Sequence, residues 1–139
     1  MEASSPLKDG LKIVDSIEEL SEKLLVFWSR MENRPRTRGK EIMLEVFLVN
    51  EKGEIQGVAF YRQHICDLGV FVVKEYRRKG YGYFLLEYLI KKLDLPYLEA
   101  HIDSANIASI KLFSKCGFVF NRKGKTAEDA DVYSRGKKK

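Results

Sequence analysis

Apolar residues recur along this chain with two periods, and the points where the period changes mark its elements. Ile17, Leu20, Leu24, Phe27 and Met31 fall on one helical face, and Ser16-Ile17-Glu18-Glu19 has the form of a capping box. The spacing predicts a helix to about Met31, ended at Arg34-Pro35 and followed by a loop to Lys40. Ile42 to Val49 and Ile55 to Tyr61 are rich in apolar and β-branched residues and flank the turn Asn50-Glu51-Lys52-Gly53, which predicts a hairpin. Gln63-His64 predicts a turn into a strand from Ile65 to Val73, whose far end is apolar on both faces, as in a strand covered on both sides.

Helical spacing returns from Gly80 to Leu93, with Leu85, Leu86, Leu89, Ile90 and Leu93 apolar, and Pro96 stops it ahead of a strand from Tyr97 to Ile102. Strand, helix and strand with short links form a βαβ unit, so the two strands are expected to be parallel, with a right-handed crossover. Asn106 to Lys115 reads as a short helix, closed at Gly117 by a left-handed cap. Phe118 to Phe120 and Asp131 to Ser134 read as strands on either side of the polar loop from Asn121 to Asp129. There is no internal repeat and no linker. The expectation is one α/β domain over residues 1–139, with a mixed (α+β) sheet of about six to seven strands, three to four helices, and a flexible basic tail at 135–139.

Composition narrows the class. A hydrophobic fraction of 45% and an aromatic fraction of 12% support a core and exclude a disordered tail. The longest apolar run, Leu68 to Val73, is far short of the roughly 18 residues of a membrane span. Met1 to Pro6 has neither the basic nor the apolar region of a secretory signal. Cys66 and Cys116 lack the spacing of a disulfide scaffold or a zinc site, and His64 with Cys66 reads as a packed pair rather than half a metal site. No metal is expected, and the chain reads as a soluble, cytoplasmic domain.

Charge changes the picture more. The net charge is +5, and basic residues concentrate in three clusters: Arg34 to Lys40, Lys74 to Lys79, and Arg135 to Lys139. The second lies in Val72-Val73-Lys74-Glu75-Tyr76-Arg77-Arg78-Lys79-Gly80-Tyr81-Gly82, where a strand ends and two glycines open a helix. The outward N–H groups and dipole of a helix N-terminus favour an anion there, and glycine admits it close to the backbone. The constellation suits a pyrophosphate. A dinucleotide fingerprint would need glycine at Leu85, and a Walker loop ending in Gly124-Lys125-Thr126 would need glycine at Val119. A second reading is a nucleic-acid-binding module, since Tyr76, Tyr81 and Tyr83 interleave with Arg77, Arg78 and Lys79.

Arg77-x-x-Gly80-x-Gly82 after an apolar strand resembles the coenzyme A signature (R/Q-x-x-G-x-G/A) of the GNAT superfamily of N-acetyltransferases. Asn106-x-x-Ser109-x-x-Leu112-Phe113-x-Lys115-x-Gly117-Phe118 is similar to the superfamily's next motif, and the order of elements from Leu11 to Tyr133 agrees. The resemblance implies a GNAT-like fold and transfer of an acetyl group from acetyl-CoA to an amine by direct attack. It places acetyl-CoA between the strand ending at Val73 and the strand Tyr97 to Ile102. Backbone groups near Phe71, Val72 and Val73 would pair with the pantetheine arm, and Arg77, Arg78, Lys79, Gly80, Tyr81 and Gly82 would form the pyrophosphate loop. Asn106 and Ser109 would reach the pantetheine or thioester region, with a plain helix cap as the structural role of Asn106.

An amine acceptor must lose a proton before it attacks. Alternation from Pro96 onward puts Tyr97, Glu99 and His101 on the polar face of their strand, so Glu99, ahead of His101, is the expected base. Many members carry a Tyr, taken as the acid for the departing thiolate, where this chain has Phe113. That leaves a non-catalytic CoA-binding or regulatory domain as an alternative. The acceptor, a small molecule or a protein amine, is not specified by the sequence. The basic segment Arg34 to Lys40 favours one bearing a carboxylate or phosphate. No membrane or nucleic-acid partner is expected, and a homodimer is compatible with the sequence.

Overall fold

The computed structural model describes residue 7 and residues 9–15, 44–63, 66–126 and 129–137. The helix expected from Ile17 to Met31, the basic segment Arg34 to Lys40, and His64 lie outside the described residues. Among the described residues seven strands form one mixed sheet: β1 (Lys12–Val14), β2 (Leu44–Val49), β3 (Ile55–Arg62), β4 (Asp67–Val72), β5 (Tyr97–Ile102), β6 (Val119–Arg122) and β7 (Asp131–Gly136). Their spatial order is β1-β2-β3-β4-β5-β7-β6. Two α-helices, α1 (Tyr81–Leu93) and α2 (Ile107–Lys115), occur among the described residues, both where the sequence placed them.

The hairpin forms as read, β2 and β3 pairing antiparallel across a turn in which Asn50 Oδ1 accepts from the N–H of Lys52 and of Glu54. The crossover also forms as read: β4 and β5 are parallel and joined through α1. Three differences have local causes. β1 was not foreseen, because three residues are too short to show a period; it pairs antiparallel with β2. β4 starts at Asp67, with Cys66 ahead of it in a left-handed backbone (φ 54) whose N–H closes a turn on Gln63 O; Ile65, where the strand was expected to begin, lies outside the described residues. Arg135 and Gly136, expected in a tail, complete β7, with Arg135 Nε bonded to Cys116 O at 3.0 Å.

Alternation along the strands sorts side chains onto two faces. One face carries Val46, Leu48, Ala59, Tyr61, Leu68, Leu98, Ala100 and Ile102, and buries them against Leu85, Leu86 and Leu89 of α1 and Phe113 of α2. The other carries Phe47, Val58 and Phe60. Gly69 lies beneath the Phe60 ring, and a Cβ there would collide with it.

Candidate active site

β4 and β5 are register partners at a single pair, Asp67 with Glu99, where the Glu99 N–H donates to Cys66 O at 2.8 Å. Beyond it they part, although β4 stays paired with β3 as far as Val72 and β5 with β7 as far as Ile102. The gap is a cleft of about 130 Å³ between Leu68 to Phe71 on one wall and His101 to Asp103 on the other, with Asn106, Ser109 and Phe113 of α2 also lining it. This explains why Gly69 to Val72 are only half-buried, where a strand covered on both sides was expected.

Backbone direction along β4 alternates. Val73 N–H donates to Gln56 O at 2.9 Å, and Phe71 O faces Gly57, both on the β3 side. Cys66 O faces β5, so by parity Val70 and Val72 turn their backbone groups toward the cleft. Phe71 and Val73, expected to offer backbone groups there, do not. A one-residue step reverses the side, and the sequence does not fix the step. The Val72 backbone turns to the cleft side by the same parity, and its carbonyl accepts from Arg77 Nε at 2.7 Å.

After Val73 the chain makes a 3₁₀ turn (Lys74–Tyr76), passes Arg78 in a left-handed conformation (φ 63), and enters α1 through Gly80 (φ 88). Among the described residues no side chain caps the N-terminus of α1, and its first turn holds no acidic residue. The first ladder N–H is that of Phe84, bonded to Gly80 O, so the N–H groups ahead of it project past the helix end. A Cβ on Gly80 would meet nothing within 4 Å, whereas one on Gly82 would press on Leu112 Cδ2 at 3.2 Å. Gly80 therefore serves the turn and leaves open space above it, while Gly82 lets α1 approach α2. An uncapped helix end under open space fits a pyrophosphate.

The basic residues of this loop are not equivalent. Arg77, Arg78 and Lys79 are all exposed, but Arg77 Nε is folded back on Val72 O, and Lys79 Nζ lies 3.4 Å from Asp9 Oδ2 and over the Tyr76 ring. Tyr81 is buried, donates its hydroxyl to Asp9 Oδ2 at 2.8 Å, and meets Tyr76 edge-on. Of the three tyrosines in the nucleic-acid reading, Tyr81 belongs to the core, while Tyr76 and Tyr83 are half-buried.

Tyr97, Glu99 and His101 do share one face of β5, but Glu99 is buried there, not solvated. Tyr97 OH donates to Glu99 Oε2 at 2.7 Å, His101 Nε2 lies 3.0 Å from Oε1, and Arg122 of β6 approaches Oε2 to 3.9 Å. Burial alone would raise the Glu99 carboxyl, but the hydrogen bonds from Tyr97 and His101 and the charge of Arg122 outweigh it and hold it below its usual range. The Tyr97 phenol is raised, by burial first and then by its bond to Glu99. The His101 side chain is 32% exposed and lines the cleft, and Glu99, at 8%, lies beneath it. Asp67, beside Glu99, is buried in an ion pair with Arg62, and burial raises its carboxyl despite that partner.

Tyr97 could have been found from its two-residue spacing to Glu99. Arg122 could not, because it arrives from β6 across β7. On α2, Asn106 Oδ1 accepts from Ser109 N at 3.1 Å, so Asn106 is the helix cap and also lines the cleft with Ser109. Phe113 is buried and edge-on to Phe118. Burial also pushes the Cys116 thiol up to about 12, which agrees with a packing role. Among the described residues no three His, Cys, Asp or Glu side chains cluster as a metal site, and no helix is long and apolar enough to cross a membrane.

A sequence model of the acetyltransferase (GNAT) family matches residues 16–118. The chain belongs to the GNAT acetyltransferase family. The GNAT fold is shared with the ribosomal-protein-S18-alanine N-acetyltransferase of Escherichia coli (TM-score 0.70, 20% identity, 90% of this chain and 92% of that one). It is shared too with the ribosomal-protein-S5-alanine acetyltransferase of Vibrio fischeri (TM-score 0.72, 14% identity, 93% and 94%). A GNAT phosphinothricin acetyltransferase of Sinorhizobium meliloti, solved in complex with AcCoA, matches at TM-score 0.67 and 17% identity over 91% and 88%. No curated protein matches the chain in sequence.

Proposed function

We propose that this GNAT protein is an acetyl-CoA-dependent N-acetyltransferase acting on a primary amine by direct attack. The observation that carries the reading is the parting of β4 and β5 just beyond Asp67 and Glu99. It leaves a cleft with an imidazole on its wall, a buried carboxylate behind that imidazole, and an uncapped helix N-terminus at the end of the loop that follows β4. Acetyl-CoA, when bound, supplies the acetyl thioester and a thiolate leaving group.

The residues of this chain do the rest. Backbone groups of Val70 and Val72 pair with the pantetheine arm as an added strand would. The N–H groups at the start of α1, with Arg78, hold the pyrophosphate. Asn106 keeps its Oδ1 in the cap and offers its Nδ2 to the cleft. His101 takes the proton of the acceptor ammonium. With its Nε2 proton donated to Glu99, its Nδ1 is the accepting atom, and the buried carboxylate balances the charge that forms. This order reverses the sequence expectation of Glu99 first, on grounds of exposure. Phe113 has no proton to give.

Thiol release from acetyl-CoA, screened over amines that include amino acids, small diamines and peptides with free amino termini, tests the reading. Release with one of these classes is expected. Binding of CoA without release from any amine would favour the non-catalytic alternative. CoA at 100 times its dissociation constant should stabilise the fold by about 2.7 kcal/mol, a melting shift of roughly 8 °C. No shift at millimolar CoA would overturn the proposal.

A further inference from the structure

We propose that Asp9 is a positioning residue for the pyrophosphate loop, and that its charge restrains the loop's affinity for anions. The inference rests on the CoA reading above. One carboxylate oxygen, Asp9 Oδ2, accepts from Tyr81 OH at 2.8 Å and from Lys79 Nζ at 3.4 Å, the residues on either side of Gly80. Asp9 is itself held from outside the loop. It sits in a left-handed turn with Gly10 (φ 61 and 70), directly before buried Leu11 and the β1 strand that pairs with β2. The contact spans 70 residues of sequence and ties the sheet edge to the start of α1.

The two bonds act in opposite senses. The Tyr81 hydroxyl is neutral, and its bond to Asp9 fixes the first helical residue whatever the charge of the acceptor. Lys79 is a cation that would otherwise serve an anion at the helix end, and the Asp9 charge competes for it. Replacing the carboxylate by an amide keeps the Tyr81 bond and removes the competition, whereas removing the side chain loses both. A structural clamp alone predicts no such split. Asp15 provides the matched control. It follows β1 and accepts from Lys92 Nζ at 2.7 Å and Tyr88 OH at 3.2 Å, on residues well along α1 from the loop.

Calorimetric dissociation constants for CoA and for pantetheine, which lacks the pyrophosphate, decide the matter on the full chain. Asp9→Asn is expected to bind CoA about two- to fivefold tighter than the parent, the scale of an exposed ion pair. Asp9→Ala is expected to bind it about two- to tenfold more weakly than Asp9→Asn, the scale of one hydrogen bond. Pantetheine affinity should be the same in all three, and Asp15→Ala should leave CoA affinity unchanged. Adding Lys79→Ala to Asp9→Asn should abolish the gain. Equal weakening by Asn and Ala, or pantetheine affinity moving in step with CoA, overturns the role of Asp9 while CoA binding by the parent leaves the loop assignment standing. Failure of the parent to bind CoA overturns both.

Discussion

His101 Nε2 lies 3.0 Å from Glu99 Oε1, with the imidazole on the cleft wall and the carboxylate buried beneath it. Two residues apart on one strand, they point to the same side, and their difference in exposure suits them to the different roles proposed for them. The imidazole can reach an acceptor, and the carboxylate can orient it.

The pair should therefore behave as a unit. Glu99→Gln and His101→Gln are each expected to lower kcat by about 10²–10⁴-fold, the usual worth of a positioned base. The double variant should be hardly worse than either single one. Steady-state rates across the pH range, with CoA affinity measured separately, check this. Rates within about threefold of the parent for both variants would place the base elsewhere.

The same carboxylate has a signature in stability. Its folded pKa lies below its unfolded value, so its contribution is present above the unfolded value of about 4.3 and is lost as pH falls through the folded one. Urea titrations should show the parent's advantage over Glu99→Gln at neutral pH shrinking once the pH drops below about 4. An advantage that stays constant down to pH 3 would contradict the hydrogen bonds assigned to Tyr97 and His101.

Asp67 carries the opposite sign. Burial raises its folded pKa, so its ionised form weighs against the fold as pH rises through that value, and Arg62 offsets the cost. Arg62→Met should cost about 3–5 kcal/mol at pH 7 by stranding a buried carboxylate. The cost should be smaller at pH 5, where a proton can replace the lost partner. Equal losses at the two pH values would show that the ion pair is not what holds Asp67.

Gly80 and Gly82 should fail differently. Gly80→Ala meets no atom, so its cost without ligand is the left-handed backbone alone, about 1 kcal/mol or roughly 3 °C. Its Cβ stands over the loop, and CoA affinity should fall more than this. Gly82→Val strikes Leu112 and should cost about 1–3 kcal/mol before any ligand is added. Thermal melts with and without CoA separate the two, and normal CoA binding by Gly80→Ala would misplace the pyrophosphate.

Asn106 can be divided between its roles. Asn106→Asp keeps the oxygen that caps α2 and should hold the melting temperature, while losing the N–H donor proposed to serve the cleft. Asn106→Ala should lose about 1 kcal/mol of cap as well. If Asn106→Asp binds acetyl-CoA like the parent, Asn106 is a cap and nothing more.

What the sequence determined by itself was local and periodic. The spacing of Leu85, Leu86, Leu89 and Ile90 foretold α1 and its buried face, Pro96 and the alternation after it foretold β5 with its bounds, and the paired glycines with their neighbouring motif foretold the GNAT family. Each is written in residues a few positions apart, where chain geometry leaves little choice. Tertiary structure decided whatever depends on which strands meet. Period two put Glu99 and His101 on one face, but only the arrival of Arg122 from β6 and of the Asp67–Arg62 pair from β4 and β3 made that face a buried, charge-balanced one. The parity of β4 turned the backbone groups of Val70 and Val72, rather than those of Phe71 and Val73, toward the cleft side, because hydrogen bonding to β3 fixes the step and alternation alone does not. The engagement of Lys79 and Tyr81 by Asp9 spans about 70 residues and rests on a three-residue strand with no period to read. A basic cluster in sequence is a sum of charges; which of its members can meet a ligand is set by the folded neighbours that reach them first.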